Sequence, residues 1–260
     1  MAPIRTKLTD IPTYSDIEIW ADTDATFSRF FEECVGAPEL CPLVQYSDDA
    51  ATLEAMIYDK LEELKFRPVA YEGAIVDYSL VQSFIRPSLY RPVRWTLLAG
   101  ALDGLLSGNL TQALEFAAAI LTDGGDAHSS NVETDSAYGI HCSDKKVRTD
   151  NLDEILPQMH KQWEASKSLG DFTSYLSTSC AQWKLEPRER YEAGFNHIKT
   201  RNPLFVIGNT LDPATSIRAA FNISAGFEDS VVLTQDGYGV SHHLSPSSIP
   251  LNSKWADLEP

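Results

Sequence analysis

The chain has 260 residues, 43% hydrophobic and 10% aromatic, which is enough to build a sizeable core as one large domain or two small ones. With 37 acidic against 21 basic side chains its formal charge is -16, a field that repels phosphate backbones and anionic membrane surfaces. Nucleic acid is excluded as a partner on that ground. The first residues lack the apolar run of a secretory signal, and no stretch approaches the roughly 20 apolar residues of a membrane span, so the expectation is a soluble, cytoplasmic protein with no membrane partner.

From Thr23, the spacing of Phe27, Phe30, Phe31 and Cys34 predicts a helix with one apolar face, Thr23 or Asp24 as its cap and Gly36 as its stop. A second helix is predicted over 48–65, where Leu53, Met56, Ile57, Leu61 and Leu64 share a face and Glu54, Asp59, Glu62 and Glu63 stay wet. Arg67-Pro68 ends it. A short strand is expected at 74–78, then helices over 80–90, 93–107 and 110–121. Residues 122–136 are polar, glycine-containing and aperiodic, and read as an exposed loop. Helical patterns follow near 151–168 and 187–198.

The last third changes character. Leu204-Phe205-Val206-Ile207 is a continuous apolar run of buried-strand type, breaking into Gly208-Asn209-Thr210-Leu211-Asp212-Pro213, with a helix expected from Ala214 or Thr215. Ser230-Val231-Val232-Leu233-Thr234 is a second such run and closes on Gln235-Asp236-Gly237-Tyr238-Gly239. Two strands joined by a helix form a βαβ unit, and α/β proteins place their chemistry just beyond the C-terminal ends of parallel strands. The four cysteines, Cys34, Cys41, Cys142 and Cys180, show no zinc spacing. Buried thiols are the expectation in a reducing compartment, with 34–41 and 142–180 disulfides the alternative for an exported chain. No metal site and no cofactor are expected.

These late motifs carry a resemblance. The segment from Gly208 to Thr215 resembles the strand end that delivers the acidic triad member in tripeptidyl-aminopeptidase-like α/β-hydrolases, a group related to prolyl aminopeptidases. The segment from Gln235 to Gly239 resembles the approach to that family's catalytic histidine. Tyr138-Gly139-Ile140-His141-Cys142-Ser143-Asp144 and Cys180-Ala181-Gln182-Trp183 resemble its junction between lid and core, and Trp20-Ala21-Asp22-Thr23-Asp24 with Phe30-Phe31-Glu32-Glu33-Cys34 the segment that follows its nucleophile half. The resemblance implies an α/β chain holding part of an α/β-hydrolase fold: an N-terminal tail at 1–13, a helical lid at 14–137, a helical junction at 138–200, and C-terminal parallel βαβ elements at 201–260. It implies Asp212 as the orienting carboxylate and His242 or His243 as the imidazole, with short peptides or small amides and esters as substrates.

Two departures qualify that inheritance. The family exposes its attacking hydroxyl on a G-x-S-x-G turn, and the chain has none; its nearest sequences are Ser107-Gly108 and Ser224-Ala225-Gly226. The family's histidine follows its Gly-Tyr-Gly-like turn directly, where this chain has Val240, with His242 and His243 two and three positions on. A serine would come from a partner chain or a further segment, and a homodimer or partner chain would complete the sheet. The alternatives are a repurposed small-molecule isomerase, cyclase or binding protein, and a non-catalytic subunit of a split hydrolase. Asp212 is also read as a turn or helix cap, and the two histidines as loop residues. His128, His141, His160 and His197 are assigned structural or surface roles. Asp77, Asp144 and Asp236 read as caps or loop residues before acid–base groups, and Trp20, Trp95, Trp163, Trp183 and Trp255 as core before pocket lining.

Overall fold

The computed structural model describes residues 19–122, 130–145, 148–189 and 195–240. The fold is α/β: a helical region is followed by a small parallel sheet near the C-terminus, an arrangement consistent with a partial α/β-hydrolase. The described chain divides into two compact units, each drawn from separate stretches of sequence.

One unit comprises 22–122, 209–214 and 235–240. Helix α1 (Thr23–Gly36) buries Phe27, Phe30, Phe31 and Cys34, the predicted face. Its cap differs from expectation: Asp22 holds the N-cap position without a side-chain capping bond, and Thr23 points its hydroxyl elsewhere. Helix α2 (Ala50–Phe66) buries Leu53, Ile57, Leu61 and Leu64, and Asp49 caps it by accepting from the Thr52 amide at 2.9 Å. Strands β1 (Val69–Tyr71) and β2 (Ala74–Val76) make an antiparallel hairpin of which only the second strand was anticipated. Asp77 caps α3 (Tyr78–Tyr90) through a 2.8 Å bond from the Leu80 amide, one of the two roles read for it.

The predicted 93–107 helix is a 3-10 turn over Pro92–Arg94 leading into α4 (Trp95–Ser107), which Gly108 ends in the left-handed conformation. Helix α5 (Leu110–Thr122) lies against α4 so closely that a Cβ on Gly104 would stand 2.6 Å from the Ala113 amide nitrogen. One hydrophobic cluster joins α1 to α5. Buried within it, the Asp103 carboxylate accepts from Gln45 at 2.7 Å, the Tyr46 hydroxyl at 2.9 Å and Gln112 at 2.8 Å. Burial, then the bond to Asp103, pushes the Tyr46 phenol above its ordinary value.

The other unit includes 130–145, 148–189, 195–208 and 215–234 among the described residues. Helix α6 (Ser130–Asp144) takes in residues 130–136 of what reads as a loop. Its residues are poor in periodic apolar side chains, and it is held tertiarily: Cys142 bonds to Cys180 on α9 (Tyr175–Ala181). A 3-10 turn at Leu152–Glu154, α7 (Leu156–Ala165) and the short α8 (Gly170–Thr173) lie between them, so the 151–168 pattern resolves into a shorter helix. The helix expected over 187–198 is absent from its described residues, 187–189 and 195–198. Ile198 instead forms a parallel bridge to Phe227.

Strand β3 (Phe205–Leu211) runs further than the apolar run that predicts it, and α10 (Ile217–Gly226) starts later than expected, capped by Ser216. Strand β4 (Val231–Tyr238) pairs with β3. The Val231 amide donates to the Leu204 carbonyl at 2.9 Å and the Gly239 amide to the Leu211 carbonyl at 3.0 Å, so the offset between bonded residues widens from 27 to 28 and β4 takes up one more residue than β3 along the pairing.

All four cysteines are paired, Cys34 with Cys41 and Cys142 with Cys180, which corrects the free-thiol expectation. Among the described residues no helix is long and apolar enough to cross a membrane.

Candidate functional site

The tips of β3 and β4 carry the residues that the sequence singled out. Asp212 follows β3 directly and is 3% exposed. Its Oδ1 accepts from the Ala214 amide at 2.9 Å, a turn bond that fixes the carboxylate against its own backbone. Pro213 is held from α1: the Thr23 hydroxyl donates to its carbonyl at 2.8 Å in a buried bond. The cap residue expected for α1 thus serves the strand tip instead.

The end of β4 is fastened at several points. Asn209, on β3 and 3% exposed, donates from Nδ2 to the Gly239 carbonyl at 2.8 Å. Thr210 donates to Asp236 at 3.0 Å and accepts from the Gly237 amide at 3.1 Å, which assigns Asp236 a cross-strand role. Gly239 sits at φ 92°, and a Cβ there would lie 2.8 Å from both the Tyr90 carbonyl oxygen and Pro92. Only glycine lets the chain pass so close to the α3 terminus. The Val240 amide then donates to the Tyr90 carbonyl at 3.0 Å. His242 and His243 follow two and three residues later and lie outside the described residues.

Tyr238, the last residue of β4, stacks on Trp95 with centroids 5.2 Å apart and planes 15° apart. Its hydroxyl donates to Glu33 at 2.7 Å, and the Arg29 guanidinium stands 5.9 Å from its ring centre. Burial, reinforced by the Glu33 bond, pushes this phenol up to about 12. Nothing in the sequence signalled the Glu33 partnership, the Tyr90 anchor or the Asn209 link.

The other candidates scatter. Trp20 is buried, Trp163 is partly exposed beside His160, and Asp144 ends α6. Trp255 and His128 lie outside the described residues. Ser107 donates to the Asp103 carbonyl on the last turn of α4, and Ser224 shares a 2.6 Å hydrogen bond with Ser230. Neither serine occupies a strand-to-helix elbow. Among the described residues no group of three or more His, Cys, Asp or Glu is placed to hold a metal ion.

Residues 166–254 match the family described as TAP-like protein. The match takes in β3, α10 and β4 with Asp212, and also Cys180-Ala181-Gln182-Trp183. The resemblance read further upstream, at Trp20 to Cys34 and Tyr138 to Asp144, lies outside it. No curated protein matches the chain.

Proposed function

We propose that the chain is the lid-bearing, C-terminal part of a TAP-like serine hydrolase that acts by acyl transfer on short peptides or small amides and esters. The observation carrying this reading is the buried Asp212 at the tip of β3, beside a parallel β4 whose outgoing chain is anchored immediately before two histidines. In this mechanism Asp212 accepts a hydrogen bond from one ring nitrogen of His242 or His243 and stabilises the imidazolium. The opposite nitrogen takes the proton of a serine hydroxyl and later returns it to the leaving group. Residues 14–137 then act as the lid and 201–260 as core elements.

The serine and its oxyanion donors come from polypeptide beyond this chain. In support, no Val, Ile, Leu, Phe or Tyr side chain between 195 and 240 is fully buried among the described residues. Phe205 and Ile207 on β3, Phe221 on α10 and Val231 on β4 are all exposed. A two-stranded parallel sheet with bare apolar faces calls for covering layers. The test is labelling of the native complex, isolated from its source through this chain, with a fluorophosphonate probe. A labelled serine on the complex is the expected result; a complex that hydrolyses a small ester yet takes no label refutes the reading. A complex that neither takes label nor hydrolyses the ester also refutes it and favours non-hydrolytic small-molecule chemistry, for which an apolar cleft on the helical unit is the supporting feature.

A further inference from the structure

A cleft of about 480 Å³, including its open mouth, lies on the helical unit between α1 and α4. Phe30, Trp95, Ala99 and Leu40 line it together with the Cys34–Cys41 bridge, which ties the end of α1 to the following turn. The space inside the cleft proper is about 160 Å³, below the roughly 300–1,000 Å³ of drug-sized sites and room for a small ligand only, and the wall is held by the disulfide and the buried α1–α4 core.

The charge at its mouth is of one sign. Glu33 is the ionised residue of the lining, and its carboxylate is bonded to the neutral Tyr238 hydroxyl. Among the described residues it has no basic ion-pair partner; the nearby Arg29 is paired with Glu32 at 2.8 Å. Glu33 also stands in the last turn of α1, which carries no basic residue, so the carbonyl end of the helix adds to the negative potential. The protein as a whole carries -16. An anion such as a fatty carboxylate is repelled here, whereas a cation gains the Glu33 carboxylate.

We infer that this cleft binds a small organic amine with an apolar body, the body seated against Leu40 and the Cys34–Cys41 bridge and the ammonium against Glu33. Asp212 is not among the residues lining the cleft, whose occupancy needs no nucleophile, so the site survives or falls independently of the hydrolase reading.

Isothermal titration of the full chain at neutral pH and low ionic strength tests it with three probes of one shape: phenethylamine, 2-phenylethanol and 3-phenylpropionate. The amine is expected to bind saturably at one site, the alcohol about fivefold more weakly, and the acid not at all. Glu33→Gln should lower amine affinity about fivefold while leaving alcohol affinity unchanged. Thr96→Phe, at an exposed lining residue, should abolish both without disturbing the core. Circular dichroism of each variant establishes that it is folded. Absence of amine binding, equal binding of amine and acid, or amine binding indifferent to both substitutions overturns the assignment.

Discussion

Replacing each cysteine pair with alanine should destabilise the chain unequally. The Cys34–Cys41 bridge spans a sequence separation of 7 and Cys142–Cys180 one of 38. Loop-closure entropy gives about 2.4 kcal/mol for the short loop and about 3.9 kcal/mol for the long one. The long bridge also fastens α6 to α9, and α6 has little periodic apolar surface of its own. Urea unfolding of the two double variants, followed by tryptophan fluorescence and far-ultraviolet circular dichroism, should place the 142/180 variant below the 34/41 variant by about 1.5 kcal/mol. Hydrogen exchange should localise the losses, to α6 and α9 in one case and to the end of α1 in the other. Four titratable thiols in denatured, unreduced protein would refute the premise. A reversed order of stability would refute the entropic reasoning. Bridges of this kind persist in oxidising compartments, so protein made in a reducing cytosol should lack these increments.

Asp103→Ala should cost about 3 kcal/mol in urea denaturation, because Gln45, Tyr46 and Gln112 all lose a charged acceptor inside the helical unit. Gly239→Ala should cost about 2 kcal/mol from its left-handed backbone and the crowding by Tyr90 and Pro92, and a value near zero would remove the close-approach argument. Tyr238 is raised when folded, so its contribution is fully present below the unfolded value near 10 and is lost as pH climbs toward about 12. Tyr238→Phe should therefore flatten the alkaline fall in stability between those limits, read by melting temperature against pH, and remove a late-titrating phenol from the absorbance at 295 nm. In the intact hydrolase, Asp212→Asn should keep the turn bond to Ala214 and the thermal midpoint, yet lower kcat by about 10⁴-fold. Unchanged turnover would make Asp212 a turn residue only.

What was legible in the sequence follows from how local each signal is. The faces of α1 and α2 show through 3.6-residue spacing, and β3 and β4 through short apolar runs, because in each case neighbours in sequence share one environment. Helix α6 escaped notice because its stability comes from a partner 38 residues away. The β1–β2 hairpin turns on Glu72 and Gly73, both at positive φ, and a glutamate in that position sends no turn signal. The 187–198 pattern misled because the Ile198 backbone pairs with Phe227, a partner remote in sequence, rather than within a local helical turn. Asp212 stood out because a carboxylate just past an apolar run is a local feature. Its setting did not, since Thr23 lies 190 residues from Pro213 and Tyr90 lies 150 residues from Val240 (240 − 90).

The order in which the two units draw on the chain has a practical consequence. Their stretches alternate along the polypeptide, and β3 and β4 each begin in one and finish in the other. No single cleavage or truncation point releases either unit whole. Dissection into independently expressed halves should yield insoluble fragments, and a soluble version of either will require rejoining its stretches by circular permutation or new linkers.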